Sequence, residues 1–228
     1  MADSRDKVEG NLTWIFIGSK PLGSGEGASG EAWLVENKEK HIEAVLKRPS
    51  NNEYTASRIL KQRIDLEKEK NALRLLVSNL NIDSKRIGFD VYVPRIIDEG
   101  KGETPSDPPR FIVMSKAQGR SLRDFIEGYP GIPLKFLRLI SLRLLIGALE
   151  ILRTAHKKGI LYRDFIKTDH LFWDQDNRVV TLIDWGNASP FVSSTGWTDD
   201  GEYSISQEID NILLEIPQLL RDESLSQP

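Results

Sequence analysis

Residues 159–186 read GILYRDFIKTDHLFWDQDNRVVTLIDWG, and this stretch decides how the rest of the chain is understood. It places two aspartates, Asp164 and Asp184, at the ends of short apolar runs, with Lys167, Asp169 and His170 between them. The run Val179-Val180-Thr181-Leu182-Ile183 has strand character, and Trp185-Gly186 follows Asp184 at once, so the Asp184 carboxylate is expected where a strand ends. Two carboxylates presented in this way suit a hard cation and a hydroxyl nucleophile side by side. The plain alternative is that both aspartates cap turns. A histidine next to an apolar run, such as His170, is more often a satisfied core residue than a ligand.

Composition bounds what such a site can serve. The 228 residues are 39% hydrophobic with no long polar tract in the middle, enough for one sizeable core or two small contiguous lobes. A net charge of −3, with Lys and Arg interspersed among Asp and Glu, gives no basic surface for nucleic acid. Cysteine is absent, which excludes disulfides and thiolate chemistry and fits a cytoplasmic location. The opening MADSRDKVEG lacks the apolar core of a signal peptide. The most apolar helical run, 136–152, is interrupted by Arg138, Arg143 and Glu150, so no membrane span is expected.

From the N-terminus, residues 1–11 read as a solvated tail, and residues 12–17 (LTWIFI) as a first strand. The loop 22–30 (LGSGEGASG) follows, with Gly25, Gly27 and Gly30 in a GxGxxG pattern, and Ala32-Trp33-Leu34-Val35 forms a second strand. Glycines there let backbone N–H groups approach phosphate oxygens; a flexible hairpin turn fits equally well. It is not a Walker loop, since no Lys-Ser/Thr follows the last glycine. Residues 41–47 (HIEAVLK) make a third strand ending in Lys47, in isolation an ordinary solvated edge charge. Residues 55–79 are helical, with Ile59, Leu60, Leu66, Leu73, Leu76, Val77 and Leu80 as the apolar stripe. One acid of that helix, Glu69, is expected to turn inward and hold Lys47.

Two more strands, 91–97 and 111–114, flank a Gly/Pro/Ser-rich loop at 100–109. The connector at 115–119 is the best boundary, dividing the chain into 1–115 and 116–228. Beyond it lie a short helix from Ser121, a long helix at 134–156 that is apolar all round its middle, and a last helical pattern at 205–220. The fold class is therefore α+β, a five-stranded antiparallel lobe with one inserted helix followed by a shortened, mainly helical lobe.

These residues together resemble the protein-kinase-like superfamily over residues 14–188. The loop 25–32 is similar to the kinase glycine loop, and Ala44-Val45-Leu46-Lys47 to the VAIK strand. Glu69 stands for the helix-C glutamate and Met114 for the gatekeeper before the hinge. Tyr162-Arg163-Asp164 stands where HRD is expected, and Asp184-Trp185-Gly186 where DFG is expected. The resemblance implies a bilobal fold with a nucleotide-binding first lobe, and ATP and Mg²⁺ as cofactors. It implies that Lys47, held by Glu69, clamps the α- and β-phosphates under Gly25, Gly27 and Gly30. It further implies that Asp184 binds Mg²⁺, Asp164 orients the acceptor hydroxyl and Lys167 steadies the γ-phosphate.

The chain departs from that pattern in several places. Tyr162 replaces the usual histidine, and the loop after Asp164 carries an apparent extra residue. The metal-binding Asn of the family is matched by Asp169 when counted from Asp164 and by His170 when counted from Lys167 or back from residues 171–173. No APE phrase follows Gly186, and the stretch that docks peptides in larger kinases is missing. The expected activity is transfer of the ATP γ-phosphate to a protein Ser/Thr hydroxyl. A small-molecule or glycan kinase, similar to lipopolysaccharide-core or aminoglycoside kinases, is the alternative, and a pseudokinase scaffold is the third.

Overall fold

A computed structural model of the chain describes residues 7–22, 30–50, 55–78, 84–127, 133–164, 167–192, 197–198 and 204–210. In chain order the elements are β1 (Lys7–Glu9), β2 (Thr13–Phe16), β3 (Glu31–Asn37), β4 (Ile42–Arg48), α1 (Ala56–Val77), α2 (Ser84–Ile87), β5 (Asp90–Tyr92), β6 (Ile96–Gly100) and β7 (Phe111–Ser115). They continue with β8 (Arg120–Ser121), α3 (Leu122–Glu127), α4 (Leu134–Lys157), β9 (Ile160–Leu161), β10 (Leu171–Asp174), β11 (Val179–Leu182), β12 (Ser189–Val192) and β13 (Trp197–Thr198). Two compact units result: Met1–Arg74 with Arg95–Lys116, and Leu75–Pro94 with Ala117–Pro228.

The first unit is built on a six-stranded sheet in the order β1-β2-β3-β4-β7-β6, with every neighbouring pair antiparallel. Alternation along the strands gives the sheet two faces. Trp14, Val35, Ala44, Leu46, Phe111 and Val113 form the buried core on one. On the other, Lys47 lies in register with Ala32 and Ile112, and Val45 with Leu34 and Met114. Gly30 enters this sheet at φ +108, and a Cβ there would lie 2.3 Å from the Arg48 carbonyl oxygen, so no other residue fits. Asp98 anchors the opposite edge: its carboxylate accepts from the Trp14 indole and from the backbone N–H groups of Asn11 and Leu12.

Three expectations about this unit change. Residues 7–9 are not solvated tail but an edge strand, Val8 pairing with Trp14, which brings the sheet to six strands. The single strand expected at 91–97 is broken by Val93-Pro94-Arg95; only β6 joins this sheet, while β5 pairs parallel with β11 in the second unit. Proline cannot donate to a ladder, which makes Pro94 the natural break. The inner face of α1 is only in part the expected apolar stripe. Leu66, Leu73 and Leu76 are buried together with Gln62, Asp65 and Glu69, whereas Ile59, Leu60 and Val77 are exposed and Leu80 lies outside the described residues. Buried polar groups on a helix require partners, and these have them: Gln62 accepts from the Ser50 N–H and Glu69 from Lys47.

The second unit holds a four-stranded sheet, β5-β11-β10-β8, and a three-stranded one, β13-β12-β9. Helix α4 lies against β11, where a Cβ at Gly147 would come within 2.5 Å of a Val180 methyl. Its buried line is Leu137, Ile140, Leu144, Ala148, Ile151, Leu152 and Ala155, but Phe136, Leu139 and Leu142 are exposed, so α4 is one-sided rather than buried all round. Ser121 opens α3 with a capping box, its hydroxyl accepting from the Asp124 N–H while the Asp124 carboxylate accepts from the Ser121 N–H. Of the last helical pattern, residues 205–210 are helical and 211–220 lie outside the described residues. Among the described residues no helix is long and apolar enough to cross a membrane.

Candidate functional site

In the first unit, β4 and α1 each contribute one charged side chain. Alternation turns Lys47 away from the core occupied by Leu46, and the inner line of α1 carries Glu69 toward it. Lys47 Nζ lies 2.8 and 2.9 Å from the two Glu69 carboxylate oxygens. Glu69 is only 1% exposed, so this cation stabilises a carboxylate that would otherwise be costly to bury. Met114 is buried on β7 in the row next to Lys47. Gly25 and Gly27 lie outside the described residues, and Gly30 leads directly into β3.

In the second unit, Asp164, His170 and Asp184 come together, each offering a ligand atom within 4.8 Å of the others. Three chain segments deliver them. Asp164 follows β9 after Arg163, which sits at φ +59; His170 immediately precedes β10; and Asp184 leaves β11 at φ +64. The Ile183 N–H donates to the His170 carbonyl at 3.0 Å and fixes the last two relative to each other. Left-handed backbone at a non-glycine residue costs about 1–3 kcal/mol and persists where its surroundings over-determine it, often at functional positions.

His170 is buried, and its contacts define the ring. Nδ1 lies 3.0 Å from the Tyr162 hydroxyl, which in turn donates to the Ile183 carbonyl at 2.8 Å. Nε2 lies 3.4 Å from Asp184 Oδ2 and 3.9 Å from Asp169 Oδ1. Burial pulls the imidazole below its usual pKa of 6.5, outweighing the opposite pull of the Asp184, Asp169 and Asp164 carboxylates. Asp169 itself points its Oδ2 to Arg123 at 3.1 Å, while its buried Oδ1 has no hydrogen-bond partner. Lys167 is exposed, and its carbonyl accepts the His170 N–H.

Two supporting residues, Asn187 and Glu208, escaped the sequence reading, and a third, Trp185, was read there only as part of the Asp184-Trp185-Gly186 motif. Asn187 donates to Asp164 Oδ2 at 3.3 Å. Trp185 packs edge-on against Tyr162 with ring centroids 4.9 Å apart. Glu208, 1% exposed, accepts the backbone N–H of Tyr162 at 2.8 Å and of Arg163 at 3.2 Å, and lies 3.0 Å from His156 Nε2. It thereby ties the backbone just before Asp164 to the 205–210 helix. The only local signal for Glu208 was Ser204, whose hydroxyl caps that helix by accepting the Gln207 N–H.

The donor set of two carboxylates and a neutral imidazole fits a divalent cation. No family model matches the chain. A stretch of 101 residues, 43% of the chain, is 32% identical to serine/threonine-protein kinase PknB of Mycobacterium tuberculosis, and 94 residues are 31% identical to PknB of Mycolicibacterium smegmatis. A stretch of 120 residues, 50% of the chain, is 31% identical to copalyl diphosphate synthase of Talaromyces verruculosus. These matches span 12% to 15% of the length of the curated relatives. The chain thus has a partial similarity to serine/threonine kinases, and its mixed α+β architecture, with an antiparallel sheet in the first unit, is compatible with a kinase N-lobe.

Proposed function

We propose that the chain is an ATP-dependent phosphotransferase of the protein-kinase type, organised as a nucleotide-binding lobe followed by a lobe that carries the catalytic loop. The acceptor in this reading is a hydroxyl, in the first place a protein Ser or Thr. The observation that carries it is the two-pronged contact between Lys47 and the buried Glu69, in a chain partly similar to serine/threonine kinases. ATP supplies the transferable phosphoryl group and a divalent cation, expected to be Mg²⁺, neutralises its charge. Lys47, steadied by Glu69, offers fixed positive charge to the α- and β-phosphates, and the backbone around Gly25, Gly27 and Gly30 offers N–H donors. Met114 lines the base side of the same lobe.

Asp184 holds the cation, and His170 and Asp169 are the candidates for the neighbouring ligand position. Asp164 accepts the hydrogen bond of the acceptor hydroxyl, with Asn187 fixing one of its oxygens. Lys167 steadies the γ-phosphate. Such positioning of a base is worth about 10²- to 10⁴-fold in rate.

The test is incubation of the purified chain with γ-labelled ATP, a divalent cation and a panel of protein and metabolite acceptors. Label on protein Ser/Thr supports the proposal. Label on a metabolite or glycan moves the acceptor to a small molecule, and nucleotide binding without transfer assigns a pseudokinase role instead.

A further inference from the structure

The ring of His170 has its hydrogen-bonding roles fixed by its neighbours. A phenol carries one proton, and Tyr162 gives it to the Ile183 carbonyl at 2.8 Å. The contact between the same oxygen and His170 Nδ1, at 3.0 Å, therefore requires Nδ1 to be the donor. In the neutral ring that leaves the lone pair on Nε2. Nε2 is the atom directed toward Asp184 Oδ2 at 3.4 Å, and the geometry there makes no hydrogen bond. The side chain is only 7% exposed, so the ring is held in place by the protein around it. Close by, at 3.9 Å, is the buried Asp169 Oδ1, which also lacks a hydrogen-bond partner.

A partner that accepts from Nδ1–H while Nε2 points away is what orients metal-ligating histidines and sets their tautomer, and Tyr162 is placed to be that partner. Imidazole favours first-row transition ions over Mg²⁺, which is best matched by oxygen alone.

Building on the proposed metal-dependent transfer, we propose that His170 Nε2 bonds the cation directly beside Asp164 and Asp184, that Tyr162 is the positioning residue that makes this possible, and that the centre takes a divalent first-row transition ion in preference to Mg²⁺. The centre is thereby a nitrogen-containing one built into a loop where the resembled family uses oxygen ligands. Mn²⁺, the weakest binder of that series, is a conservative probe.

The experiment is pulsed electron paramagnetic resonance on the Mn²⁺-loaded full chain, without nucleotide, together with Mn²⁺ titrations in competition with Mg²⁺. The chain has three histidines, so the wild type is measured both unlabelled and with ¹⁵N-histidine, and His170→Asn and Tyr162→Phe are measured alongside. The expected result is a directly bonded ¹⁴N coupling that changes to ¹⁵N on labelling and disappears in His170→Asn. In that variant the preference for Mn²⁺ over Mg²⁺ should fall at least about tenfold. Tyr162→Phe should weaken Mn²⁺ binding by about 10- to 100-fold, the usual cost of losing a second-shell partner, and weaken Mg²⁺ binding less. Tyr162→Phe keeps the ring that packs on Trp185, so folding is retained. Mn²⁺ bound without nitrogen coupling overturns the inference and leaves the phosphotransferase reading standing. A coupling that survives in His170→Asn assigns it to another histidine and overturns the inference too. No binding of either ion overturns the inference together with the metal assignment in the proposed function.

Discussion

The charged pair of the first unit and the cluster of the second are made differently. Lys47 and Glu69 sit in the middle of regular elements, β4 and α1, and join opposite charges at 2.8 Å. Asp164, His170 and Asp184 sit at the ends of strands, two of their segments passing through left-handed backbone, and join two carboxylates with a neutral imidazole. The first arrangement compensates a buried acid without any ligand, so removing either partner leaves a buried charge unpaired. The second gathers ligand atoms on left-handed backbone, an arrangement that suits binding more than it stabilises the fold. The pair is thus itself part of its unit's scaffold; the cluster is held in place by the scaffold of its own.

That contrast gives the order of expected effects. Asp164→Asn and Asp184→Asn should lower phosphate transfer the most, by about 10²- to 10⁴-fold, while leaving the unfolding midpoint in metal-free buffer within about 0.5 kcal/mol of wild type. Asn tolerates the left-handed backbone at position 184 as Asp does, which is why the fold should survive. A large loss of stability in Asp184→Asn would break the contrast. Lys47→Met should do both things at once: transfer falls by about 10²-fold, and chemical denaturation shows a loss of about 1.5–3 kcal/mol, because the charged hydrogen bonds to buried Glu69 are gone. Unchanged stability in that variant would remove the scaffold role of the pair.

Smaller effects sharpen the picture. Glu208→Gln weakens the anchor of the Tyr162 and Arg163 backbone, and should cost about 1 kcal/mol in stability and about tenfold in transfer rate, read from a denaturant melt and initial rates. Asp98, bonded to the Trp14 indole on the core face of the first unit's sheet, provides a control. Burial pushes its carboxyl up, but the hydrogen bonds from Trp14, Asn11, Leu12 and Glu99 together hold it below the usual 3.8. Its contribution is therefore complete above pH 3.8 and is lost as the pH falls through the lowered native value. Asp98→Asn should flatten the acid limb of the stability profile by about 1 kcal/mol without altering transfer at neutral pH.

The pairing of Lys47 with Glu69 was legible because strand alternation and helical spacing set where each side chain points, and the glycine loop before Lys47 gave it a context beyond that of an edge charge. The strand ends that carry Asp164 and Asp184 were legible from the apolar runs preceding them. What the sequence hid depends on partners distant in the chain. The split of residues 91–97 follows from β5 pairing with β11, a contact no window around Pro94 reveals. The polar part of the inner face of α1 violates the rule that buried helix positions are apolar, and only the positions of Lys47 and Ser50 explain it. Val8 reads as tail until Trp14 is known to lie opposite. Glu208 is an acid on a short helical segment, and its role comes from two backbone N–H groups it accepts at 2.8 and 3.2 Å.

The central claim, that the strand lysine and the loop carboxylates serve one phosphoryl transfer, is tested most directly by measuring γ-phosphate transfer from labelled ATP for wild type, Lys47→Met and Asp184→Asn side by side on the best acceptor found. The account predicts transfer by the wild type and its near-complete loss in each variant, with the Asp184→Asn protein still folded. Transfer that persists at the wild-type rate in either variant would contradict it.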